Sequence, residues 1–241
     1  MATQYSLVQR LTAEAFGTAF LLAAVVGSGI MAKQLSAGNA SLALLENSIA
    51  TGAALIALIL AFGPISGAHF NPAVTLADAT QHGLNWRAVP GYIFAQCVGG
   101  IAGTYAAHLM FGQQVFQISV HTRSGASQLF SEFVASFGLL ATIWGCSRVR
   151  MAAIPFAVGA YITSAYWFTA STSFANPAVT LARCLTNTFT GIRPKDAPGF
   201  VTMQVLGALA ATVLFRWFSP AAPQAAEELL VPHSVSHPQD E

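Results

Sequence analysis

Asn71 to Ala77 reads NPAVTLA, and Asn176 to Ala182 reads NPAVTLA again. A seven-residue identity within one chain is not a chance match, so the chemistry of this block is the first thing to ask about. Asn-Pro at the head of a short apolar stretch starts a helix: Asn71 and Asn176 suit the N-cap, and Pro72 and Pro177 suit the first helical position, where no backbone donor is lost. Each half-helix then presents unpaired backbone N–H groups and a positive dipole end, with Ala73 and Ala178 leaving room beside them. Two such ends brought together would donate hydrogen bonds to neutral oxygens and repel cations. That is recognition chemistry, with no bond made or broken.

The remaining chemistry-bearing residues agree. An intramembrane enzyme needs a Ser, His or paired-Asp nucleophile system, and the polar residues here are neither spaced nor clustered that way; Asp78 has no second Asp in a span. Cys97, Cys146 and Cys184 are scattered without CxxC or His spacing, which indicates neither a disulfide framework nor a metal site. No Gly-rich nucleotide loop is present. The expectation is a chain that is not an enzyme and has no metal or cofactor. Glu14 and Glu132 lie in apolar stretches, where a carboxylate is costly and is either functional or tightly paired. They are candidate proton carriers or candidate loop braces. His69, two residues before Asn71, is a candidate to line a path or to brace its loop.

The elements that must position these residues follow from composition. Of 241 residues 54% are hydrophobic and 8% charged, with mean hydropathy +0.58, against about a quarter charged in soluble domains. This is a protein of the lipid bilayer. Net charge +1, with ten Lys and Arg spread singly, gives no basic stripe for nucleic acid. Apolar blocks at about 11–32, 42–62, 89–111, 129–146, 152–170 and 199–218 are each near the length of a crossing, which needs about 20 residues. Blocks at about 65–80 and 172–187 are too short and too polar for lipid, and must be buried or line a water-filled path.

The repeat extends beyond the heptapeptide. Glu14 with Phe16, Gly17 and Thr18 is echoed by Glu132 with Val134, Ala135 and Ser136. The chain therefore reads as an all-α membrane protein of six transmembrane helices plus two re-entrant half-helices, in two copies of three spans and one short block (about 10–111 and 128–218). An odd number of spans per copy inverts the second copy in the membrane, an architecture common among transport proteins. One channel domain covers 1–218. The tail 219–241 is polar, with Glu227, Glu228, Asp240 and Glu241, and is expected to be disordered. The Lys and Arg distribution slightly favours cytoplasmic termini.

With its duplicated NPA in a six-span inverted repeat, SGAHFNPAV at Ser66 to Val74, and the Gln96 to Gly103 stretch, the chain resembles the aquaporin and glycerol-facilitator (major intrinsic protein) family. The resemblance implies a homotetramer in the bacterial inner membrane, one passive pore per subunit, and small neutral solutes as cargo. It also makes Glu14 and Glu132 acceptors of backbone amides that hold the re-entrant loops. An Arg directly follows the second NPA in most members; here that position is Val179, and the next basic residue is Arg183. The family spacing puts the other filter positions at Thr51, Ser164 and Ser173. Together these imply a wide, uncharged opening passing polyol-sized solutes; Arg183, one turn further along and pointing away from the pore mouth, either replaces the lost guanidinium, pairs with Glu46 or Asp78, or turns to a surface. Val179 and the run TFTGIRP at Thr188 to Pro194 are similar to a bacterial subset associated with arsenic resistance, which implies arsenous acid and methylated trivalent arsenicals as solutes. The alternatives are a water-selective pore and a proton-coupled transporter using Glu14 or Glu132.

Overall fold

A computed structural model describes residues 5–218; the tail expected to be disordered lies outside them. Eight α-helices account for most of this stretch. Helix α1 (Leu7–Leu35) starts at a reciprocal capping box between Ser6 and Gln9. Helix α2 (Ala40–Ser66) starts at Asn39 and ends where Gly67 takes a left-handed φ of 88°. Helix α3 (Pro72–Thr80) is followed by α4 (Val89–Met110) and α5 (Ala126–Ser147). A 3-10 turn at Met151–Ala153 leads into α6 (Ile154–Phe168), and α7 (Pro177–Arg183) precedes a second 3-10 turn, Pro194–Asp196, and α8 (Ala197–Phe218).

At 1.5 Å per residue, α3 and α7 reach only about 14 and 11 Å, roughly half a bilayer core. Among the described residues, five segments are long and apolar enough to cross: Leu7–Leu35, Ala40–Ser66, Ala126–Ser147, Met151–Phe168 and Pro194–Phe218. The sixth long helix, α4, is less apolar because it carries Gln96 and His108. Both are fully buried, so α4 meets the apolar requirement with its outer face alone. Large apolar side chains such as Phe16, Phe20, Phe94, Leu109, Val213 and Trp217 are exposed on the outside, as a bilayer as solvent requires.

Helices approach closely where side chains are absent. A Cβ on Gly99 or Gly103 of α4 would meet the backbone carbonyl oxygens of Ala15 or Ala19 on α1. A Cβ on Gly207 of α8 would meet that of Phe133 on α5. Gly52 of α2 and Gly159 of α6 face each other's carbonyls in the same way. The small-residue faces of the third and sixth spans thus act inside the subunit, which lets backbones pack at short range without a hydrophobic drive. The pairs α1 with α4 and α5 with α8 are equivalent in the two halves, and between them lies the lumen.

Candidate conduction pore

Asn71 and Asn176 each hold an extended backbone (φ −154° and −158°) and cap their own half-helix. The Asn71 Oδ1 accepts from Ala73 N at 2.9 Å, and the Asn176 Oδ1 from Ala178 N at 2.9 Å and Val179 N at 3.2 Å. Each carboxamide also donates across the lumen: Asn71 Nδ2 to the Ala175 carbonyl at 2.8 Å, and Asn176 Nδ2 to the Phe70 carbonyl at 2.7 Å. The half-helices are thus tied N-terminus to N-terminus, each Asn gripping the loop that precedes the other. Reciprocal bonds of this kind are the signature of a two-fold relation. A carboxamide has two N–H donors, and among the described residues each Asn spends one; both residues line the lumen.

The loops ahead of the half-helices repeat residue for residue. Ala68 and Phe70 take left-handed φ values of 48° and 47°, and Ser173 and Ala175 take 49° and 48°. Such a conformation costs about 1–3 kcal/mol at a non-glycine residue, so something must hold it. Glu14, fully buried, accepts from His69 N at 2.9 Å, Phe70 N at 2.8 Å, Ser66 Oγ at 2.7 Å and Gln96 Nε2 at 2.7 Å. Glu132, also fully buried, accepts from Phe174 N and Ala175 N, both at 2.9 Å, and from Gln204 Nε2 at 2.5 Å. Gln96 and Gln204 in turn donate to Thr75 and Thr180, whose hydroxyls donate to the carbonyls of Asn71 and Asn176. The partners of Glu132 are N–H donors, as are three of the four partners of Glu14; the fourth, the Ser66 hydroxyl, donates to Glu14 and accepts from Ala68 N. Each carboxylate thus gathers donors from the loop that precedes one half-helix.

The loop backbone does more than connect. The carbonyls of Ala68, His69, Ser173 and Phe174 accept no hydrogen bond among the described residues, and these residues border the lumen. They are available acceptors beside the two free Asn donors. The rest of the wall is apolar: Leu21 and Val25 of α1, Leu55 and Ile59 of α2, Leu139 and Ile143 of α5, and Ile154, Val158 and Ile162 of α6. The cavity has about 90 Å³, several times the space that one water needs.

His69 lines the lumen, and its ring is fixed by Thr75 Oγ1 at 3.1 Å, by Asp78 Oδ2 at 3.6 Å and by the Tyr92 ring at 5.4 Å between centroids. Tyr92 is itself held by Arg10 Nε at 2.8 Å and donates to the Ser66 carbonyl at 2.9 Å. His82 is exposed. His108 is buried and spans Val115 O at 2.7 Å and Thr186 Oγ1 at 2.8 Å, away from the lumen lining.

Of the expected filter positions, Thr51, Ser173 and Val179 border the lumen and Ser164 does not. Ser164 is exposed, and its hydroxyl bonds back to the Tyr161 carbonyl at 2.7 Å. The residues that α6 turns inward recur every four positions, Ile154, Val158, Ile162 and Tyr166, and a helix rotates about 100° per residue, so a position two away from Ile162 faces outward. Tyr166 stands where Ser164 was expected, its hydroxyl 3.2 Å from Thr51 Oγ1.

The expectation of an uncharged opening also needs correcting, because Arg183 borders the lumen. Glu46 and Asp78 are not its partners: among the described residues it makes no ion pair, and Asp78 faces His69 instead. In a helix the Cα–Cβ bond tilts toward the N-terminus. An Arg one turn beyond Val179 therefore leans back along α7. Its guanidinium carbon lies 3.4 Å from the centroid of the Phe174 ring, and its Nε donates to the Thr190 carbonyl. Phe174 had no motif to mark it; it is the residue whose N–H Glu132 holds, and it packs edge-on against Phe200 at 5.2 Å. Arg123 lies against the same ring at 5.0 Å, with Nε and Nη1 taken by the carbonyls of Gly191 and Ser171. Burial lowers the Arg123 pKa, while Glu132 opposes that shift.

Comparison with known proteins places this arrangement. The chain is 56% identical to the aquaglyceroporin AqpS of Rhizobium meliloti over 221 residues, 91% of this chain and 94% of that protein. It is 37% identical to the aquaporin NIP1-1 of Zea mays over 147 residues, 60% of this chain and 51% of that one. The X-ray structure of the aquaglyceroporin from Plasmodium falciparum has the same fold, with TM-score 0.68 over 92% of this chain and 99% of that one at 22% identity. The profile of the Major intrinsic protein family matches residues 1–151 and 144–239. With two NPA half-helices meeting inside a six-helix frame, the chain belongs to the major intrinsic protein family, whose members are multi-pass membrane channels and not enzymes.

Proposed function

We propose that the lumen passively conducts water and polyol-sized neutral solutes, glycerol and arsenous acid with its methylated trivalent forms among them. The observation that carries this reading is the two-sided wall. Aliphatic side chains of four helices cover most of the cavity, while the loop carbonyls, the Asn71 and Asn176 amides and the Thr51 and Tyr166 hydroxyls supply hydrogen bonds. A polyol has CH groups for the first surface and hydroxyls for the second, and a neutral hydroxide near pH 7 is of similar size. Replacing a neutral solute's hydration in such a pore is far easier than replacing an ion's. The 56% identity to an aquaglyceroporin supports the same class. Val179, in place of a bulkier Arg, leaves room beside the Asn pair.

The saturated donor shells of Glu14 and Glu132 speak against proton coupling. Tyr166 and Arg183 at the outer end favour the second reading, a water-selective pore. The proposal extends to a homotetramer, with the exposed apolar helix faces as its contact surface, and to cytoplasmic termini. Stopped-flow light scattering on proteoliposomes separates the two solute readings: rapid glycerol and arsenous acid entry supports the wide pore, and entry of water alone replaces it with the second. Mass measurement in mild detergent tests the tetramer, and protease access in oriented vesicles tests the termini.

A further inference from the structure

Arg183 is 2% exposed, borders the lumen, and spends one donor, Nε, on the protein. An arginine has five N–H donors in a rigid fork. Among the described residues neither Nη makes a hydrogen bond, yet neither is fully enclosed, and the open space that Arg183 borders is the lumen. Leaving a buried charge unpaired is costly, and a purely structural Arg would be expected to use its fork. Arg123, next to it, does so. Ser173 Oγ, 3% exposed and also on the lumen wall, has no partner either.

We propose that Arg183 is the selectivity arginine of this pore, delivered from the last turn of α7 in place of the residue after Ala178. Its two Nη groups donate to the hydroxyl oxygens of a passing neutral solute, and its charge repels cations. Phe174 and the Thr190 carbonyl fix its position: the ring supports one face and the carbonyl holds Nε. Those contacts leave the edge of the fork toward the lumen. A monovalent cation passing about 6 Å from an unpaired unit charge, at an effective dielectric of about 20, is disfavoured by roughly a hundredfold. The midplane dipoles of α3 and α7 act as a second barrier in series, so removing the charge is expected to raise proton flux by at least about tenfold.

This inference rests on the channel reading, and the test separates the two. Native chain, Arg183→Met and the double variant Val179→Arg with Arg183→Met are reconstituted, and glycerol entry and proton flux at fixed pH gradient are measured on the same vesicles. The expected result is native glycerol entry with proton flux near that of empty liposomes, at least a tenfold higher proton flux in Arg183→Met, and recovery in the double variant. A native chain that admits no glycerol overturns the channel reading. A native chain that admits glycerol, beside a folded Arg183→Met with proton flux within threefold of native, overturns the role of Arg183. Should Arg183→Met fail to fold, Arg183→Lys carries the test. It keeps the charge and loses the fork, so protons stay excluded while the ratio of glycerol to water permeability changes by at least threefold; an unchanged ratio overturns the inference.

Discussion

Replacing Glu14 by Gln tests the bracing of the re-entrant loops. Glu14 accepts four hydrogen bonds, two on each oxygen: Ser66 Oγ and His69 N on one, Phe70 N and Gln96 Nε2 on the other. Gln keeps one acceptor oxygen and turns an NH₂ group toward two donors. Whichever way it lies, one backbone N–H of the loop loses its acceptor in a site that water does not reach. An unsatisfied buried donor costs about 1–3 kcal/mol, and bonds to a charged acceptor are worth about 1.5–3 kcal/mol each. With two donors displaced, the expected loss is about 3–6 kcal/mol. The left-handed residues Ala68 and Phe70 then lose their restraint, and with them the anchorage of Asn71. In detergent the thermal transition should fall by about 10 °C or more, and folded protein in proteoliposomes should conduct water slowly. A Glu14→Gln protein with a native transition, native water flux and no solute accumulation under a pH gradient would refute the bracing argument. One with a native transition that had lost pH-driven accumulation would make Glu14 a proton carrier.

Other consequences follow from the same geometry. Gly103→Val places a side chain against the Ala19 carbonyl, and overpacking of this kind costs about 1–3 kcal/mol; lower yield and a lower thermal transition are expected, while Gly63→Ala, with open space around it, should be tolerated. Val179→Arg adds a second guanidinium within one turn of Arg183, and glycerol permeability should fall at least tenfold more than water permeability in stopped-flow traces. Asn176→Asp removes the donor to the Phe70 carbonyl and puts a carboxylate between two positive helix ends, so proton or sodium flux should rise at least tenfold in dye-loaded vesicles.

The backbone architecture was legible because its signals are local or repeated. Asn-Pro fixes a helix start wherever it occurs, and the duplicated NPAVTLA, with Glu14 and Glu132, announced two equivalent halves. What a linear reading missed depends on side-chain direction in three dimensions. Ser164 was reached by counting residues back from Asn176 across a loop that includes left-handed Thr172 and Ser173; an error of two residues on a helix turns a side chain by about 200°, which exchanges Tyr166 for Ser164. Arg183 sits a turn beyond Val179, where the linear pattern points it away from the pore mouth, yet a long side chain leaning toward its helix N-terminus recovers the lost turn. The same lean could have flagged Arg183 as a lumen residue. Phe174 and Arg123 carried no spacing signal, since an aromatic ring flanked by two guanidinium groups is a tertiary event. The cross-lumen bonds from Asn71 and Asn176 to carbonyls of the opposite loops were equally out of reach, because sequence gives an amide's identity and not its acceptor.

A passive pore dissipates the gradient of a neutral solute and drives none. Its most direct test is the uptake of labelled glycerol into proteoliposomes, followed to a plateau with and without an imposed pH gradient. Entry well above that of empty liposomes is expected, to a final internal concentration equal to the external one under both conditions. A plateau above the external concentration that appears only with the pH gradient would contradict it.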